Sequence, residues 1–222
     1  MKTQNSVSVP TQAVSVLILF ASMLSIILVV ANLMAMKIWN FCGIPVDAGI
    51  LLFPISYVIG DLLMEIYGQK MANRVAYYGS IFGALTAAFL FLAHLLPDYP
   101  GADNGAFEAS YSMVGRIFLA SLSAFLASQL TNNFIFEKIR NSTKEHQLIR
   151  RIFLSSCVAH LVDSLVFETV AFYGRLPFME FVTQAAFAYA AGLLLEAMLL
   201  PLTKYLANSL VDHLQYRHGK NI

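Results

Sequence analysis

From Thr3 to Met36 the chain carries no charged side chain, a run longer than the roughly 20 apolar residues that cross a bilayer core. No soluble domain accommodates such a stretch easily, and two more charge-free runs of spanning length follow, Val75 to Pro97 and Ile117 to Phe136. Over the whole chain 58% of residues are hydrophobic and only 12% charged, with a mean hydropathy of +0.67, where soluble domains average about 25% charged. The apolar core after Gln12 exceeds the roughly 7 to 15 residues of a secretory signal, and no small-residue cleavage site follows it, so it is expected to be a permanent helix. A net charge of +1 gives no footprint for nucleic acid. Cys42 and Cys157, far apart in apolar surroundings, indicate neither a disulfide framework nor a metal site.

Apolar runs read against polar punctuation predict six spans: Val14 to Met36, Ala48 to Tyr67, Val75 to Leu96, Val114 to Phe136, Ile152 to Tyr173 and Phe178 to Leu206. Basic residues test the topology, because short cytoplasmic loops collect them. In a six-span arrangement only Lys37, Arg116 and Arg175 fall on one side, leaving 11 of the 14 on the other. The expected fold is therefore all-α: a single polytopic domain over residues 1–222, with six transmembrane helices in one bundle around a central polar cavity and both termini cytoplasmic. An internal echo supports a shared space. Arg116–Glu137 and Arg151–Glu168 open and close alike, pairing Gln129 with His160, Asn132 with Asp163 and Glu137 with Glu168.

An ionisable residue at the centre of a span costs about 2.5 to 3.5 kcal/mol on insertion scales, so such groups usually face a bundle interior or a wet cavity. The candidates are Asp61, Glu65, Asp163, Glu168 and Glu196. At 100° per residue Tyr57, Asp61 and Glu65 share an arc of about 80°, with Pro54 inside it, and Ser156, His160 and Asp163 share about 60° with Ser164 at the shoulder. Ser121, Ser128 and Asn132 align on the fourth span beside Gln129; the first span offers Asn32 and the sixth aligns Tyr189 with Glu196. Pro54 and Pro201 are expected to interrupt their helices, as prolines beside transporter sites do. Plainer readings stand beside these: a packing kink for either proline, an interfacial cap or a pair with Lys70 for Glu65, a packing role for His160. Asp61, too short to snorkel, is the residue expected to touch a ligand directly. Neither a Gly-x-Ser motif with a distant His nor His-Glu-x-x-His occurs, so no catalytic or metal-ligating set is assigned and the chain is not expected to be an enzyme. Clustered carboxylates, amides and a histidine suit a small polar molecule rich in N–H donors, with aromatic rings to stack on a flat ligand.

The run Phe-Pro-x-x-Tyr-x-x-x-Asp-x-x-x-Glu-x-Tyr-Gly from Phe53 to Gly68, with "ANLMAMKIW", "SQLTNNFIFEKI" and "HLVDSLVFETVAFYG", resembles the queuosine precursor transporter family, also called the vitamin uptake transporter family. The resemblance implies an inner-membrane importer of 7-cyano-7-deazaguanine, its aminomethyl derivative or queuine for tRNA queuosine synthesis or salvage. It implies no cofactor, and partners limited to the small ligand and the bilayer, with a homo-oligomer left open. Asn32, Phe53, Pro54, Tyr57, Asp61, Glu65, Gln129, Asp163 and Ser164 fit its pattern. Asn132 stands where relatives carry Asp, His160 where Gln is expected, and Ala191 and Gly192 occupy the region of a usual Lys. The expected substrate-binding set is Asn32, Phe53, Tyr57, Asp61, Glu65, Gln129, Asn132, His160, Asp163, Ser164 and Glu196. The alternative is the substrate-binding subunit of an energy-coupling-factor vitamin importer. Such a subunit docks its coupling partner through small residues on the first helix, for which only Ala31 and Ala35 offer a match.

Overall fold

A computed structural model describes residues 11–41, 44–142, 147–174 and 177–214. The expected tails with Lys2, Arg217 and Lys220, the loop residues Lys144 and Arg175, and Cys42 lie outside the described residues. Six long or buried helices form the molecule: α1 (Thr11–Ala35), α2 (Phe53–Tyr67), α3 (Gln69–His94), α4 (Gly105–Ser142), α5 (Leu148–Phe172) and α6 (Phe178–Leu214). The all-α expectation needs correction between α1 and α2. There β1 (Ile38–Phe41) pairs antiparallel with β2 (Ile44–Asp47), and a 3-10 turn, Ala48–Leu51, leads on to α2.

The hairpin changes how the second expected span is built. α2 has 15 residues, about 22 Å at 1.5 Å per residue, short of a hydrocarbon core of about 30 Å. The 3-10 turn ahead of it packs against α1. Gly49 in that turn sits against the Ala31 carbonyl and the Ala35 methyl, both alanines being fully buried. Pro54 occupies the first turn of α2 and breaks nothing, since a proline there gives up a backbone N–H that would have had no partner in the helix. At the other end Gly68, with φ of 77°, turns the chain straight into α3, so Lys70 and Arg74 ride on the first turns of a helix and not on a loop.

α2 is the hub. Every residue of it except Phe53 and Ile55 is buried. The outer helices expose apolar side chains, such as Ile18 on α1 and Phe89 on α3, as a surface facing lipid does. Four helices, α1, α3, α5 and α6, are long and apolar enough to cross a membrane. α2 is too short to count alone, and Gln129, Asn132 and Asn133 dilute the apolar character of α4. The helices alternate in direction: the Tyr67 hydroxyl at the end of α2 donates to the Ala13 carbonyl at the start of α1, 2.6 Å away. At the opposite end Arg116 of α4 donates to the Val170 and Tyr173 carbonyls (2.6 and 2.8 Å), satisfying the C-terminus of α5 where a cation is favoured. α4 starts nine residues earlier than its expected span, and His94 of α3 meets Glu108 on its first turn at 2.7 Å.

Candidate functional site

The first turn of α2 brings Phe53 and Tyr57 to face α5, whose buried stripe repeats at helical spacing through Ser156, His160, Ser164 and Glu168. Between them, closed by Asp47 of β2 and by Gly192 of α6, is a cavity. Its free volume is about 50 Å³, room for a few water molecules.

The polar groups around this space form connected chains. The Tyr57 hydroxyl donates to Ser128 Oγ at 3.0 Å, and that hydroxyl lies 3.1 Å from Asp163 Oδ1. The rings of Tyr57 and His160 face each other with centroids 4.2 Å apart. His160 Nε2 meets Glu196 Oε2 at 2.6 Å, while Ser156 donates to the other oxygen of Glu196. Gly192 leaves the space that the imidazole fills: a β-carbon there would lie 2.8 Å from His160 Nδ1.

On the other side of the cavity Glu168 is 2% exposed, and its Oε2 has no hydrogen-bond partner. It lies within electrostatic reach of Asp47 and Asp163. Asp47, at the mouth and outside the helical spans, has its pKa pushed up to about 6. Burial is the main cause and the charge of Asp163 adds to it, against the backbone N–H groups of Gly49 and Ile50, which favour the ionised form. Three carboxylates therefore border the space, and no Lys or Arg lines it among the described residues.

The expected residues do not all meet at one place. Phe53, Tyr57, His160, Asp163 and Ser164 line the cavity, with Glu196 one hydrogen bond behind. Asp61 does not line it: its Oδ1 accepts from Asn132 Nδ2 at 2.9 Å, in a buried layer near Glu196, and its Oδ2 has no hydrogen-bond partner. Gln129 packs on Gly60 and donates to Asn133 (3.2 Å), which donates in turn to Asn73 (2.7 Å). Asn32 is fully buried and donates to the Leu28 carbonyl of its own helix. Glu65 departs most from expectation. It pairs with Arg151 at 3.6 Å, both residues 2% exposed. The stripe of Tyr57, Asp61 and Glu65 thus serves three different neighbours along α2.

Arg151, read from sequence as one of the loop cations, is buried over the Phe136 ring. Its phase was the available signal, because it stands four residues before Ser155 on the buried stripe of α5. Asp47 was missed because a carboxylate just ahead of an apolar run reads as loop, and only the hairpin folds it over the cavity. The internal echo holds at Gln129 with His160 and at Asn132 with Asp163, all but Asp163 classed as buried. It fails at its end, where Glu168 is buried while Glu137 sits 29% exposed beside Arg140.

Residues 47–206 match a family described as "Putative vitamin uptake transporter". The "Probable queuosine precursor transporter" of Bacillus subtilis (strain 168) is 29% identical over 152 residues, covering 67% of this chain and 66% of that protein. The match thus spans just under two thirds of the relative's length. No solved structure matches the chain.

Proposed function

We infer the function from one premise: the chain belongs to the vitamin uptake transporter family, and it is a multi-pass membrane protein of that transporter family. We propose that it imports a queuosine precursor, a 7-deazaguanine carrying a cyano, aminomethyl or larger substituent, across a bacterial inner membrane. In this reading the chain is one domain with six spans, the second built on α2, and both termini are cytoplasmic because the basic residues gather at that end.

The observation that carries the substrate side is the cavity bordered by Asp47, Asp163 and Glu168, with no Lys or Arg lining it among the described residues. Carboxylates accept from the adjacent N–H groups of a guanine-like edge, and a ring placed beside Tyr57 and Phe53 stacks on them. The Glu168 oxygen that has no hydrogen-bond partner is available to a ligand donor. A negatively bordered site favours a ligand bearing an ammonium, so the aminomethyl compound is the preferred substrate. Asp61 and Asn132 stand behind the site and hold α2 to α4; Glu196 fixes the His160 ring that faces Tyr57.

Against the energy-coupling-factor reading, Ala31 and Ala35 pack on the 3-10 turn at Gly49. The test is uptake in cells that neither make nor import the precursors, read as queuosine in tRNA. The chain should restore queuosine from the supplied aminomethyl compound, and Asp163→Ala should abolish it. Full activity of Asp163→Ala would remove the site; rescue that requires co-expressed coupling ATPases would favour the alternative.

A further inference from the structure

α5 begins at Leu148, and its N-cap residue, Gln147, makes no side-chain capping hydrogen bond, which leaves first-turn backbone N–H groups uncapped by it. The first turns of this helix present Ile149 and Phe153, 41% and 42% exposed, with Arg150 between them. Lys204 of α6 faces them across a cleft of about 410 Å³. Arg150 reaches only Gln147 Oε1, at 3.4 Å, and among the described residues no carboxylate stands within ion-pair distance of Arg150 or Lys204. The cleft lies at the end of the bundle that also gathers Lys70, Arg74, Lys138 and Arg140. Beside Lys204, Tyr205 is 70% exposed, as aromatic residues at headgroup level are.

Two cations with no acidic partner among the described residues, beside a helix N-terminus that Gln147 does not cap, attract a phosphate, and the exposed apolar pair Ile149 and Phe153 suits an acyl chain. Basic pockets between helices on the cytoplasmic side take anionic headgroups in the same way. We propose that this cleft is a binding site for an anionic phospholipid. Its phosphate lies between Arg150, Lys204 and the start of α5, and an acyl chain runs along Ile149 and Phe153.

The experiment is native mass spectrometry of the detergent-purified full chain with phosphatidylglycerol and with phosphatidylcholine of the same chains. One phosphatidylglycerol should be retained preferentially. Its affinity should fall roughly fivefold in Arg150→Gln and again in Lys204→Gln, with Lys70→Gln as an unaffected control. Both substituted residues are exposed, so folding is preserved, and the readout does not depend on transport. Equal retention of the two lipids, or undiminished retention by the double variant, overturns the proposal. Displacement of the lipid by millimolar inorganic phosphate assigns the cleft to a soluble anion and overturns it as well.

Discussion

Arg151 and Glu65 join α5 to the C-terminal half of α2 deep inside an apolar bundle, and removing either charge takes this counter-ion from the other. At an effective dielectric of about 20, opposite charges 3.6 Å apart attract by about 5 kcal/mol. Breaking a buried pair from one side costs about 3 to 5 kcal/mol, because the remaining charge keeps its desolvation penalty and loses that attraction. For a chain of this size that corresponds to a fall in Tm of roughly 6 to 20 °C. Arg151→Met and Glu65→Gln should each show it in size-exclusion thermostability of the purified protein. The double variant Glu65→Leu with Arg151→Met should recover most of the loss, since apolar residues replace a buried pair at little cost. Single variants within 2 °C or so of the parent, or a double variant no better than either single one, would refute the reasoning.

Three further outcomes are expected. Glu168→Gln should weaken binding of the aminomethyl compound by roughly ten- to a hundredfold, the worth of a hydrogen bond to a charged group, and change the cyano compound much less; competition binding to purified protein measures both. Asp47 is neutral below pH 6 and charged above it, so affinity for the ammonium-bearing compound should rise as the pH goes from 5 to 7. His160, Asp163 and Glu168 face the same space, so the role of Asp47 is read as the part of the slope that Asp47→Asn removes. Gly192→Ala forces a β-carbon against His160 Nδ1, and the ring must leave Glu196 or Tyr57; uptake should drop while membrane levels of the protein hold.

Much of the helical framework was legible in the chain, since a bilayer demands long apolar runs whose boundaries polar residues mark. The runs that became α1, α3, α5 and α6 could hardly do anything else. The stripe of Ser156 and His160 on α5 was equally legible, because helical periodicity fixes which residues share a face. Periodicity says nothing about what that face meets. That is why Asp61 read as the leading contact and Asp47 did not read as a site residue at all.

The sequence by itself determined a helical membrane bundle with buried carboxylates on α2, α5 and α6, because hydropathy and 3.6-residue spacing are local properties. Only the tertiary structure decided how those carboxylates divide. Asp163 and Glu168 border the cavity, Glu196 is held by Ser156 and His160, Asp61 by Asn132 and Glu65 by Arg151, and the hairpin folds Asp47 over the cavity. Each of those outcomes depends on contacts between residues far apart in the chain, such as the 71 positions separating Asp61 from Asn132. A carboxylate's partner is set by which helices pack, and packing is a property of the whole bundle.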